Sequence, residues 1–196
     1  MNKVPFTNFH MHAANPVEKI FWGRVPVTAA MSQVYFTKDS MIQWMLHAFK
    51  YHGKQEVGTF FGKKIGESLL ESNRFADISC ILPVPLHKKK EKVRGYNQAA
   101  IIAQAIGSVI NIPVYEHALQ RCRVTETQTH KNRIERWNNI SGLYKVAEPD
   151  KIHNQHILLV DDVITTGATL EACANELMQL QNTRVSFASI AYASRE

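Results

Sequence analysis

The run Ile157-Leu158-Leu159-Val160-Asp161-Asp162-Val163-Ile164-Thr165-Thr166-Gly167-Ala168-Thr169 constrains this chain more than any other stretch. Its four leading apolar residues read as a buried strand, two carboxylates stand at the carboxyl end of that strand, and a Thr-Thr-Gly turn leads into a helix. In α/β proteins ligands bind beyond the carboxyl ends of the strands. The small residues of the turn leave backbone N–H groups and hydroxyls free to surround a phosphate at a helix N-terminus. Two adjacent carboxylates repel phosphate, but they suit a sugar's hydroxyls or a Mg²⁺ shared with a pyrophosphate. A bare Asp-Asp at a strand end is ordinarily just solvated. The directly attached Thr-Thr-Gly-Ala-Thr is what favours a binding role.

From Val160 to Thr169 the chain resembles the phosphoribosyl-pyrophosphate (PRPP) motif of type I phosphoribosyltransferases. Within that class it is most similar to the competence protein F family. Three blocks carry the resemblance: Pro83-Val84-Pro85-Leu86 through Arg94-Gly95-Tyr96-Asn97-Gln98-Ala99, residues 121–138, and the PRPP motif itself. Phe49-Lys50-Tyr51-His52-Gly53 adds a fourth match. The resemblance implies an α/β fold with a central, mostly parallel sheet, helices on both faces and a flexible hood at about residues 119–140. Residues 1–30 are expected to form an N-terminal arm packed on a phosphoribosyltransferase-like domain of residues 31–196. Members of the family usually begin with a small cysteine-rich zinc module. This sequence contains none, which leaves a truncated chain and a lineage lacking the module as alternatives.

A chain of 196 residues with 45% hydrophobic content suits one α/β domain with a sizeable core. No apolar run approaches the roughly 20 residues of a membrane span. Pro5, Asn8, His10 and His12 interrupt any signal-peptide core. Cys80, Cys122 and Cys173 are isolated, which points to reduced thiols in the cytoplasm rather than to a disulfide framework or a zinc site. Cys80 is expected in a strand core and Cys173 on a buried helix face. The net charge of +6 gathers in two clusters: Lys88, Lys89, Lys90, Lys92 and Arg94, then Arg121, Arg123, Lys131, Arg133 and Arg136. Both are expected in loops beside the site, where they suit a polyphosphate or a nucleic-acid backbone.

Along the chain, Phe21 and Trp22 are expected to anchor the arm. Residues 27–36 suit a strand. Asp39 or Ser40 caps a helix over 41–49 with Ile42, Met45, Leu46 and Phe49 inward, and Gly53 ends it. A second helix over 57–70 turns Phe60, Phe61, Ile65 and Leu69 or Leu70 inward. Residues 78–84 form a strand that must stop at Pro83 and Pro85 or lie at an edge. The lysine-rich stretch after His87 reads as an extension of the following loop. A helix begins near Gln98, with Ala99, Ile102, Ala103 and Ile106 buried. Tyr96 is open between stacking on a base and packing. Residues 112–115 suit a short strand. Leu170, Cys173 or Ala174, and Leu177 mark the helix after the motif, and 184–192 the last strand. His153 and His156 read as surface residues without a role.

The resemblance also implies the chemistry. PRPP, or a related phosphoribosyl ligand, binds with Mg²⁺. Asp161 and Asp162 hold the ribose 2′- and 3′-hydroxyls, and Val163, Ile164, Thr165, Thr166, Gly167, Ala168 and Thr169 cradle the 5′-phosphate. The pyrophosphate lies against Val84, Pro85, Leu86 and His87, with Arg94 and Gly95. Lys131 and Arg133 of the hood reach the leaving group. Catalysis by charge placement falls to Asp161, Asp162, Arg94, Lys131 and Arg133. No residue stands out as a general base for an acceptor, so transfer to a nitrogenous acceptor is set against a non-enzymatic reading. The family is associated with natural transformation, beside a helicase and single-stranded-DNA handling proteins. The second reading is therefore a DNA-uptake protein that binds a nucleotide or single-stranded DNA and a helicase partner. The resemblance also admits a homodimer. A P-loop ATPase and a Rossmann dehydrogenase are excluded, because neither glycine signature occurs.

Overall fold

The computed structural model describes residues 4–122 and 143–194. Its centre is a four-stranded, wholly parallel sheet in the order β1-β6-β5-β2, formed by β1 (Ala30–Tyr35), β2 (Cys80–Pro83), β5 (His156–Ile164) and β6 (Arg184–Tyr192). The two middle strands are near-continuous apolar runs, as strands covered on both faces must be. β2 stops at Pro83, as the proline predicts, and lies outermost of the four. Beyond it only Val114 bridges to Ile81, so the strand expected over 112–115 shrinks to one contact. β3 (Leu119–Arg121) and β4 (Tyr144–Val146) form a separate antiparallel pair.

Helices flank both faces. On one lie α2 (Met41–Tyr51), α3 (Gln55–Leu70) and α5 (Gln98–Ile110); on the other lie α1 (Pro16–Phe21) and α7 (Ala168–Leu177). α4 (Lys88–Arg94) and the four-residue α6 (Pro149–Ile152) lie outside these layers. The alternation of side chains along the strands sorts the helices. Gln33 meets Ser68 of α3, while Phe187, on the opposite face, meets Phe21 of α1. This is the mixed α/β architecture, with a parallel sheet between helices, of a type I phosphoribosyltransferase-like fold.

α2 starts where the cap predicts, with Ser40 Oγ accepting from the Gln43 N–H at 3.3 Å. α3 departs from its predicted face only at Phe60. Phe61, Ile65 and Leu69 are buried, but Phe60 is 46% exposed and Leu70 65%. The stripe facing α5 is Gly58, Gly62 and Gly66. A Cβ on Gly62 would lie 2.6 Å from Ala105 Cβ and 2.7 Å from the Ile102 carbonyl oxygen. The two helices therefore meet almost backbone to backbone, and Phe60 is rotated out to solvent. Hydrophobic periodicity cannot register a contact surface built from glycine.

Two further expectations are corrected. Trp22 is 62% exposed, whereas Phe21 is buried with Val17 and Val25, its ring 4.6 Å from that of Phe187. His156, read as a surface residue, is buried at the start of β5. Its ring pairs with Asp77 at 2.7 Å and with Ser186 Oγ at 2.9 Å, and Arg184 Nη2 donates to the other oxygen of Asp77 at 2.6 Å. Burial lowers the His156 pKa despite the carboxylate. This network closes the amino end of the sheet, opposite the site. Cys80 and Cys173 are buried as expected, and burial pushes the Cys80 thiol up to about 12.

Candidate functional site

Asp161 and Asp162 are consecutive residues of β5, near its carboxyl end, so they project to opposite faces of the strand. Asp161 turns toward Tyr144 and Cys173, whose ionisation its charge opposes. Its Oδ1 accepts the backbone N–H of Asp162 at 2.8 Å. Asp162 turns toward α2, where Oδ2 lies 3.0 Å from the ammonium of Lys50. Only Asp162 therefore has a direct cationic partner among the described residues. Burial first, and then the charge of Asp162, push the Asp161 carboxyl up to about 7.

The turn after β5 is exposed at Thr165, Thr166, Ala168 and Thr169 and buried at Gly167. Gly167 has φ +72°, the left-handed region, and caps α7. A Cβ there would also come within 2.6 Å of the Phe21 ring and 2.8 Å of Ile20. Glycine is thus required both by backbone conformation and by the close approach of α1. Among the described residues the N–H groups of Thr165, Thr166 and Gly167 find no protein acceptor, and that of Ala168 makes only a long 3.4 Å contact with Thr166 Oγ1. The turn thus presents unpaired donors around a concavity of about 40 Å³, bordered by Asp161, Val163, Ile164 and the motif residues through Leu170. From behind, Arg24 Nη1 donates to the Thr166 carbonyl at 2.8 Å and to the Ile20 carbonyl at 3.0 Å, while Nε donates to Glu171 at 3.1 Å.

The loop after β2 faces the acids. Val84 donates its N–H to the Val160 carbonyl at 2.9 Å, and its carbonyl accepts from Asn97 Nδ2 at 3.0 Å. The same Asn97 caps α5 by accepting from the Ala99 N–H at 3.0 Å. One residue therefore ties the loop to the helix behind it. Pro85, Leu86 and His87 follow, half-buried. The lysine-rich stretch is not a loop extension but α4. His87 Nδ1 caps it on the Lys89 N–H at 3.2 Å, and Gly95, at φ +81°, ends it. Lysine and glutamate form helices readily, and here that propensity outweighs the repulsion among like charges. Arg94 donates to Gln98 Oε1 at 2.7 Å and lies over the Tyr51 ring at 5.3 Å. Tyr96 packs rather than awaits a base, because its hydroxyl donates to the Phe49 carbonyl and its ring lies 5.8 Å from that of Phe49.

These elements enclose one cleft of about 190 Å³. Asp161, Asp162 and Thr169 line one side; Val84, Pro85 and Leu86, with the cations Lys50, Lys90, Arg94 and Arg121, line the rest. The structure thus brings together the motif acids, the loop after β2 and Arg94, whereas Gly95 and His87 act as helix caps at its edge. Lys131 and Arg133, with most of the expected hood, lie outside the described residues, as do Arg123 and Arg136. Sequence reasoning passed over two residues, Lys50 and Arg24, and placed a third, Arg121, only coarsely. Lys50 was legible only as part of Phe49-Lys50-Tyr51-His52-Gly53, read as a structural turn. Arg121, whose guanidinium lies 5.7 Å over Tyr144, was expected in a loop beside the site and instead ends β3, where it lines the cleft. Arg24 carried no local signal.

The donor set fits a divalent cation shared with a ligand's phosphates rather than one caged by protein. Two carboxylates with hard oxygens meet at the cleft, one paired with Lys50 and the other pushed up to about 7 by burial and then by its neighbour's charge. Among the described residues no three His, Cys, Asp or Glu side chains converge on one point. No described helix is long and apolar enough to cross a membrane.

No family model matches the chain. It is 25% identical over 138 residues to the DNA utilization protein YhgH of Escherichia coli O157:H7, covering 69% of this chain and 60% of that one. It is 34% identical over 101 residues to competence protein F of Haemophilus influenzae, covering 51% and 44%. With competence protein ComFC of Bacillus subtilis it shares 30% over 145 residues, covering 74% and 56%. The chain thus spans about half the length of the curated relatives it matches. The similarity, at low to moderate identity, is to the competence and DNA utilization proteins that the motifs resemble. Among solved structures, glutamine PRPP amidotransferase from B. subtilis, complexed with ADP and GMP, aligns with a TM-score of 0.48 and 14% identity, over 72% of this chain and 30% of that one. An adenine phosphoribosyltransferase aligns at 0.45 and 14%, over 75% and 74%.

Proposed function

We propose that the cleft binds a phosphoribosyl ligand, PRPP or a related nucleotide, together with Mg²⁺, in a protein that serves DNA uptake or utilization. One observation carries this reading. At the carboxyl end of a parallel sheet, a turn with unpaired N–H donors borders one concavity and an acid pair with four cations lines a second, and the two share Asp161 and Thr169. That arrangement separates the charges of such a ligand: phosphate on the turn, ribose hydroxyls on Asp161 and Asp162, pyrophosphate toward Arg94, Arg121, Lys90 and the loop from Val84 to His87. The magnesium, when bound, neutralises the pyrophosphate. The protein's own residues orient the sugar and keep the cationic wall close to the developing charge.

Binding is the part of the proposal with the most support. The names of the relatives, competence and DNA utilization proteins, favour a role in DNA handling; single-stranded DNA and a helicase are the partners the motif resemblance implies. Transfer of the phosphoribosyl group to a nitrogenous acceptor, with release of pyrophosphate, is the second reading. It is favoured by the retention of both acids and of the whole Thr-Thr-Gly-Ala-Thr turn. Thermal melts with PRPP test the binding reading. The midpoint should rise only when PRPP and Mg²⁺ are both present, because ligand bound to the native state alone stabilises it. A midpoint unmoved by PRPP at millimolar concentration rejects the reading. Pyrophosphate release on adding a candidate acceptor then decides for transfer.

A further inference from the structure

Lys50 counts among the cations of the cleft, but the reading above gives it no part of the ligand to hold. It is the penultimate residue of α2, and its ammonium lies 3.0 Å from Asp162 Oδ2, the two side chains being 24% and 14% exposed. The acids point to opposite faces of β5, so Lys50 neutralises Asp162 and leaves Asp161 without a direct cationic partner among the described residues. The two arginines of the cleft are held elsewhere, Arg94 on Gln98 and Tyr51, and Arg121 over Tyr144. Lys50 differs from them in being held by the motif acid itself.

This placement has a chemical consequence. Any cation that ligates Asp162, or any sugar hydroxyl that donates to it, competes with the Lys50 ammonium for the same carboxylate charge. Once displaced, that ammonium remains in a wall already crowded with Lys90, Arg94 and Arg121. Its repulsion there is relieved only if an anion arrives with the competitor. The lysine stem is flexible enough to re-aim a point charge by a few ångströms.

We infer that Lys50 is an exchangeable counter-cation, which holds Asp162 in the empty cleft and passes to the diphosphate of the incoming ligand. The inference rests on the phosphoribosyl reading and adds regulation to it. A divalent cation alone must expel Lys50 with no anion to receive it, so it binds poorly. Cation and diphosphate together satisfy both sides, so they bind cooperatively. The ion pair thereby selects the metal–diphosphate complex over either component.

The Lys50→Gln variant separates the two halves of this exchange. Mn²⁺, read by its paramagnetic signal without other ligand, should bind the variant at least about threefold more tightly than wild type, since its competitor is gone. PRPP in saturating Mg²⁺ should bind at least about tenfold more weakly, the scale of one charge-assisted hydrogen bond. Lys50→Arg, which keeps the charge, should hold Mn²⁺ at the wild-type affinity. Circular dichroism melts establish that each variant is folded. A merely structural lysine would shift both affinities in one direction or neither, and either result overturns the inference. If wild type binds Mn²⁺ but not PRPP, the phosphoribosyl reading fails. The Mn²⁺ comparison then still decides whether Lys50 competes for Asp162, and equal affinities refute it. A wild-type protein that binds neither overturns both.

Discussion

Replacing Asp161 by Asn should stabilise the protein at alkaline pH while weakening its hold on ligand. Asn preserves the shape of the side chain, and its Oδ1 can still accept the Asp162 N–H, now at 2.8 Å. What disappears is a carboxylate that burial and the Asp162 charge disfavour. A rise from the ordinary 3.8 to about 7 corresponds, at about 1.4 kcal/mol per tenfold, to a ceiling of roughly 4 kcal/mol. Both acids share the cleft and Asp161 is only half-buried, so the expected gain is about 1–2 kcal/mol, or roughly 2–8 °C in midpoint for a chain of this size. The sign follows from linkage. Between the unfolded and folded pKa the native state holds a proton that the unfolded chain has released, so wild-type stability falls as pH rises through that window. Asn has no proton to lose. The advantage of Asp161→Asn should therefore be full at pH 8, partial at pH 6 and absent below about pH 4. Urea unfolding at these three pH values measures it. A variant less stable than wild type at pH 8, or a difference independent of pH, would refute the claim that the site holds an electrostatically costly acid.

Three further outcomes test other parts of the account. Replacing Lys88, Lys89 and Lys90 on α4 with Gln should weaken any single-stranded DNA binding and lower the slope of log affinity against log salt by about 2. An unchanged slope would place the strand elsewhere. Gly62→Ala gains about 1 kcal/mol of helix propensity but forces a methyl to 2.7 Å from the Ile102 carbonyl oxygen. Overpacking of that kind costs about 1–3 kcal/mol, so the midpoint should fall, and a rise would contradict the close approach of α3 and α5. Gly167→Ala meets both an unfavourable φ and the Phe21 ring, so PRPP affinity and thermal midpoint should drop together. Retention of both would show that the turn does not depend on glycine.

How far the sequence revealed this molecule follows the physics of each element. β5 and β6 were legible because buried parallel strands are mostly apolar, and α2 because Ser40 and a clean 3.6-residue stripe mark it. α3 misled because the face it packs against α5 is glycine, which carries no hydrophobic signal, and a nearby aromatic pair drew the stripe onto Phe60. α4 misled because a block of lysines reads as solvated loop until the helix propensity of its residues and its His87 and Gly95 caps are weighed together. His156 misled because its partners, Asp77 and Ser186, come from β-adjacent segments 79 and 30 residues away. In the cleft, the acids and the turn were legible as a local motif. Lys50 and Arg24 were not, because each acquires its place only when distant elements pack.

The most direct test of the central claim is a calorimetric titration with PRPP, with and without Mg²⁺, of wild type and of the Asp161→Asn/Asp162→Asn double variant. The account predicts saturable, metal-dependent binding to wild type and a loss of more than about tenfold in affinity in a variant that remains folded. Equal affinity in the two proteins, or binding indifferent to Mg²⁺, would show that the acid pair does not hold the ligand and would contradict the assignment of the cleft.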